Sequence, residues 1–118
     1  MQEFIECILK SDEQPTVKIK AVKVVSHIPK HAHVWCIYKL SKPESLSGFL
    51  YLVIEVYNED SPELLEPKDY THYHRIIAEP MNTRALVELI GIDDEDNRET
   101  LEALGIEWER LTLIEYGY

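Results

Sequence analysis
Residues 48–58 read Gly-Phe-Leu-Tyr-Leu-Val-Ile-Glu-Val-Tyr-Asn, and this run decides the fold. It is β-branched and aromatic with no 3.6-residue stripe, so it predicts a strand rather than a helix. Successive side chains of an extended chain point to opposite faces. Leu50, Leu52, Ile54 and Val56 then make one wholly aliphatic face. Phe49, Tyr51, Val53, Glu55 and Tyr57 make the other, aromatic with a single carboxylate. Burying the four aliphatic side chains contributes roughly 6–12 kcal/mol before the entropy of ordering them is subtracted. No other segment offers as much, which places this strand in the middle of a sheet. Glu55 among tyrosines reads as a wet, half-exposed part of the second face.

Upstream of this strand the pattern is that of a meander. Residues 2–10 read as a strand, with Ile5, Cys7 and Leu9 on one side, in preference to a short helix that would pair Phe4 with Ile8 and Ile5 with Leu9. Ser11-Asp12-Glu13-Gln14-Pro15 is a turn by composition. Residues 16–25 alternate Val17, Ile19 and Ala21 against Lys18 and Lys20, and the parity slips at Ala21-Val22. A slip of one residue in a regular strand predicts a β-bulge, and the lysine face predicts a solvated surface. Pro29 interrupts with a loop, and residues 33–40 form a further strand with Val34, Cys36, Tyr38 and Leu40 on one side. A Pro43-containing turn leads back to the central strand. The first half is thus an antiparallel meander of three or four strands.

Downstream, residues 59–69 are polar and hold Pro62 and Pro67, the longest connection of the chain. Residues 70–78 alternate as one more strand. Asn82 or Thr83 caps a helix whose inner face is Leu86, Leu89 and Ile90, ended by Gly91. Asp93 or Asp94 caps a second helix running to Leu104, ended by Gly105. Both endings carry the Gly-Ile signature of a Schellman turn. Residues 110–116 alternate as a last strand. The fold expected is α+β: an antiparallel sheet of about five strands with two short C-terminal helices packed on one face or end, in one globular domain over residues 1–118.

At 118 residues and 45% hydrophobic, the chain is long enough and apolar enough for one core. No stretch is long enough to cross a bilayer, and acids stand near the N-terminus where a secretory leader carries lysines. Cys7 and Cys36 read as two separate buried thiols suited to a reducing cytoplasm. The net charge of −10 is unevenly spread. Residues 1–57 hold seven lysines and six acids, a net of +1; residues 58–118 hold five bases and sixteen acids, a net of −11. That asymmetry disfavours direct binding to nucleic acid and favours steering towards a basic partner.

Two His-x-His pairs, His31/His33 and His72/His74, each place two imidazoles on one side of an extended chain, a spacing used by zinc and iron sites on strands. No acidic ligand follows at a recognisable interval. The acidic run 93–97 fails as a calcium loop: counted from Asp94, the sixth position is Glu99 and the twelfth is Gly105. Cys36 and His33 diverge in a strand, so a Cys–His dyad requires His72 or His74 across the sheet. No nucleophile elbow, phosphate loop or His-Glu-x-x-His motif is present. The sequence therefore points to no catalytic residue and no cofactor.

Aromatic and acidic residues recur together instead. Tyr57, Glu59, Asp60, Glu63, Glu66, Asp69, Tyr70, Tyr73, Asp93, Asp94, Asp96 and Trp108 form the expected partner-binding set. Tyrosine and tryptophan anchor interfaces, and carboxylates around them align docking on cations. The reading is a small non-enzymatic inhibitor, of immunity-protein or phage-antagonist type, that stands in for nucleic-acid phosphates. Its partner would be a basic toxin, nuclease or nucleic-acid-binding complex, with no membrane involved. The alternatives are a small metal-dependent or Cys/His enzyme built on the histidine pairs, an adaptor subunit, or a homodimer through a strand edge.

Overall fold
A computed structural model describes residues 5–27, 34–41, 48–56 and 70–110. Six strands and two helices follow in order: β1 (Ile5–Lys10), β2 (Val17–His27), β3 (Val34–Leu40), β4 (Tyr51–Val56), β5 (Tyr70–His72), β6 (Arg75–Met81), α1 (Thr83–Ile90) and α2 (Glu95–Ala103). The fold is α+β, as the sequence leads one to expect. Strands β1 to β4 pair antiparallel in chain order. The slip at Ala21-Val22 is a true irregularity: Ala21 pairs with Leu40 but Lys23 pairs with Lys39.

The segment expected as one strand over 70–78 is split in two, and the split closes the sheet. In the order β5-β1-β2-β3-β4-β6, β5 and β6 occupy opposite edges. Yet only Tyr73 and His74 separate them in sequence. The Tyr73 amide donates to the Lys10 carbonyl of β1 at 2.8 Å, and the next amide, His74, donates to the Glu55 carbonyl of β4 at 2.7 Å. One bent strand thus touches both edges, so the sheet wraps into a barrel with five strand positions. In a five-strand meander the first and last strands run the same way. The closing β1–β5 pair is accordingly parallel, from Ile8–Tyr70 to Lys10–His72. The bridge shortens the free edges without removing them, since β5 pairs only with β1 and β6 only with β4 among the described residues.

The central strands bury both faces, each against a different layer, whereas β1, the N-terminal half of β2 and much of β6 keep one face exposed. Cys7, Leu9, Ala21, Val24, Val34, Cys36, Tyr38, Leu52, Ile54, Val56 and Tyr73 fill the barrel interior. Val25, Ile37, Tyr51 and Val53 point outward and meet Leu86, Ile90, Leu101, Leu104 and Ile106 of the helical layer. This double burial corrects the wet second face expected for the central strand. Every residue of β4 is buried, and Glu55 is only 4% exposed. Its carboxylate is held by Arg75, Nε to Oε1 at 3.1 Å, with His74 Nε2 4.0 Å away.

The helices begin where the sequence places them. Asn82 caps α1 by accepting from the Ala85 amide at 2.9 Å, and Asp94 caps α2 by accepting from the Asp96 amide at 2.8 Å. Their ends differ. At α2 the Ile106 amide donates to the Leu101 carbonyl and the Gly105 amide to Glu102, with Gly105 at φ +78°, the full Schellman pair. Gly91 has φ 88° but ψ 165°, which leads the chain away from α1 extended rather than folding it back. Of the strand expected over 110–116 only Arg110 is described, and it ends a helical turn over residues 108–110 rather than beginning a strand.

Candidate partner-binding face
The acids of the described chain gather on the helical layer. Between Glu88 and Arg110 stand nine carboxylates, counting Glu88, and two arginines. Helix α2 displays them in order. At 100° per residue, Glu95, Glu99 and Glu102 fall within a narrow stripe, spaced i, i+4 and i+7. All three are exposed, while Thr100, Leu101 and Leu104 turn inward. Glu95 and Asp96 sit in the first turn, where the helix dipole favours negative charge. Glu99 and Glu102 have no such compensation. Among the described residues, Asp93, Glu95, Asp96 and Glu99 form no ion pair with a lysine or arginine. Arg98 leans instead over the Trp108 ring, its guanidinium carbon 5.8 Å from the ring centre.

Exposed lysines lie elsewhere. Lys10, Lys18, Lys20 and Lys23 are exposed on β1 and β2. Lys18 and Lys20 occupy the N-terminal half of β2, whereas α2 packs against its C-terminal half through His27 and Val25. Lys39 is drawn into the structure: its Nζ donates to the Leu104 carbonyl at 2.9 Å and sits 4.1 Å from the centre of the Phe49 ring. A cation at a helix C-terminus is favourable, and this one ties β3 to the end of α2. Burial lowers its pKa, and nearby Lys23 adds to the effect.

Beside the acidic stripe runs a groove between α2 and β2. Val25, Ser26 and His27 line one wall, and Asp96, Glu99, Thr100 and Ala103 line the other, around a volume of about 400 Å³. His27 is 5% exposed. Its Nδ1 lies 2.9 Å from Thr100 Oγ1. The Thr100 hydroxyl already donates to the Asp96 carbonyl at 3.0 Å, and a hydroxyl has one hydrogen. Nδ1 is therefore the donor, and Nε2 carries the lone pair. Burial lowers the His27 pKa from its ordinary value, and the carboxylates of Asp96 and Asp94 pull partly the other way. The ring is thus neutral at pH 7.

The other expected site residues fall into three groups. Tyr57, Glu59, Asp60, Glu63, Glu66 and Asp69, with His31 and His33, lie outside the described residues; Tyr70 and His72 belong to β5 by their backbone alone. Asp93 and Asp96 are exposed, Asp94 is a half-buried cap, and half-buried Trp108 donates its Nε1 hydrogen to Glu102 Oε1 at 3.2 Å. Tyr73 is a correction. It is fully buried inside the barrel and its hydroxyl donates to the Pro15 carbonyl at 2.6 Å, so it belongs to the core and not to a docking surface. Cys36 is likewise inside the barrel and fully buried, out of reach of a substrate. Among the described residues no three histidine, cysteine or acidic side chains converge as metal ligands.

No protein-family model, curated protein or solved structure matches this chain.

Sequence reasoning missed two parts of the site. The stripe Glu95, Glu99, Glu102 was legible as i, i+4, i+7 spacing once the helix was placed. His27 was not, because the bulge at Ala21-Val22 reverses which residues of β2 point outward, and only the helix packed there gives the ring its partner. Finally, among the described residues no helix is long and apolar enough to cross a membrane.

Proposed function
We propose that this chain is a small acidic protein-binding inhibitor, of the immunity-protein or phage-antagonist type, whose helical layer docks on the cationic surface of a partner protein and covers it. The observation that supports this reading is the acidic stripe on α2: Glu95, Glu99 and Glu102 are exposed, aligned, flanked by Asp93 and Asp96, and without an ion pair to lysine or arginine among the described residues. Like charges at i, i+4 on a helix each cost about 0.2–0.5 kcal/mol. A cationic surface relieves that repulsion on docking. Because the carboxylates are exposed, little desolvation opposes the encounter, and long-range attraction speeds it. Trp108, half-buried beside the stripe, supplies an aromatic contact at its edge. Inhibition on this account is occlusion: carboxylates occupy the place of the phosphates that the partner would otherwise bind.

The test is capture of a partner from the native host by immobilised protein. Basic proteins that elute with salt, and whose nucleic-acid binding is suppressed by the added protein, are expected. Capture that is indifferent to salt, or partners without a cationic surface, would overturn the reading.

A further inference from the structure
We infer that the groove between β2 and α2 is an anchor site for one arginine side chain of the basic partner, an inference that rests on the docking reading above.

The groove presents acceptors and no side-chain cation. His27 offers the Nε2 lone pair, because Nδ1–H is committed to Thr100 Oγ1. The ring is nine-tenths buried, and Nε2 has no hydrogen-bond partner among the described residues. Asp96 and Glu99 bring two carboxylates to the opposite wall, neither held by an ion pair among the described residues. Val25 and Ala103 supply the apolar part of the lining. The four α2 residues of the wall, Asp96, Glu99, Thr100 and Ala103, share the flank of the helix that turns towards β2, with Glu99 also belonging to the acidic stripe. A charged group steered along the stripe therefore arrives at the groove.

That arrangement suits a guanidinium. It needs donors in several directions within one plane, an apolar surface for the plane and stem, and a net positive charge to meet two carboxylates. Arginine provides five N–H donors in a rigid fork and is weakly hydrated. A lysine ammonium is a compact, strongly hydrated point charge and gains less from a neutral imidazole acceptor beside apolar walls. A divalent metal is not favoured, since no three ligands converge there among the described residues.

Protonation of His27 works against the anchor. It converts Nε2 from acceptor to donor and adds a positive charge beside the guanidinium. The groups that face the ring are the cap Asp94, then Asp96, Glu99 and Thr100 of α2, and Trp35 of β3.

The experiment titrates the whole isotope-labelled chain with N-acetylarginine amide and follows the shifts of His27, Thr100 and Ala103 by NMR. N-acetylcitrulline amide, a neutral isostere, and N-acetyllysine amide are the comparisons. Saturable shifts centred on those three residues are expected with the arginine probe, with affinity for citrulline lower by about tenfold or more, the scale of one lost charge-assisted hydrogen bond. Glu99→Gln keeps helix propensity at an exposed position and is expected to weaken the arginine probe about tenfold as well. Affinity should also fall as pH is lowered through the imidazole range. Equal responses to arginine and lysine, or shifts spread along residues 95–102 with none at His27, overturn the anchor. The docking reading is tested apart from it by Glu95→Gln with Glu102→Gln, which leave the groove intact: if these abolish partner capture while the arginine probe fails, the face stands and the anchor falls.

Discussion

Replacing Tyr73 tests the closed barrel directly. The ring is fully buried at the one point where the chain crosses from β1 to β4, and its hydroxyl spans to Pro15 in the turn between β1 and β2. Two substitutions separate its contributions. Tyr73→Phe keeps the ring and removes only the 2.6 Å hydrogen bond to the Pro15 carbonyl. Pro15 is exposed, so its carbonyl can be hydrated in the variant, and the cost should be about 0.5–1 kcal/mol. Tyr73→Ala empties the interior at the closure. Truncating a large aromatic in a packed core costs about 3–5 kcal/mol, and the bent strand cannot collapse inward without breaking its amide bonds to Lys10 and Glu55. Against a typical total stability of about 5–15 kcal/mol, the alanine variant should be marginal. Urea unfolding followed by circular dichroism measures both. A Tyr73→Ala cost below about 1 kcal/mol would mean that the side chain does not fill a closed interior, and the barrel would be wrong. Tyr73→Phe should leave partner binding unchanged, since the residue faces inward.

Three further outcomes follow from the same structure. Thr100→Val removes the acceptor for His27 Nδ1–H and should cost about 1–3 kcal/mol in urea unfolding, because a buried donor is left unpaired; an unchanged midpoint would contradict the buried hydrogen bond. Since burial lowers the His27 pKa, the unfolded state takes up the proton first: this contribution to stability is full above the ordinary histidine pKa of 6.5 and is lost as pH falls through the lowered folded value. NMR titration of the His27 ring should give a pKa below that of a free histidine, and a raised one would refute the burial argument. Tyr51 and Tyr73 have pKa values raised by burial, so absorbance titration should show both ionising at higher pH than a free tyrosine, with stability declining as pH rises above 10.

Much of this architecture was legible in the sequence because the chain carries local signals where it needs them. Parity marked β1 to β4 and located the bulge at Ala21-Val22; Asn82, Asp94, Gly91 and Gly105 marked the helix ends. Closure was not legible. The alternation over 70–78 continues through Tyr73 and His74 without a break, and nothing in that alternation says that two successive amides bond to strands on opposite edges. Glu55 was misread for a related reason. One carboxylate among aromatics looks wet when its partner lies twenty residues away, and Arg75 is placed beside it only by the β4–β6 register. The acidic half of the candidate face was visible as a charge imbalance. Its orientation came from how α2 rolls against β2, which Thr100, Leu101 and Leu104 decide by packing.

The claim on which the account rests is that the carboxylates of α2 guide a cationic partner onto the helical layer. The most direct measurement is the association rate of the captured partner as a function of ionic strength, for the natural chain and for a variant carrying Glu95→Gln, Glu99→Gln and Glu102→Gln. The expected rate falls steeply with salt for the natural chain and is slower, with a shallower salt dependence, for the variant, which keeps Asp93, Asp94 and Asp96 beside the stripe. Identical rates and identical salt dependence in the two proteins would contradict it.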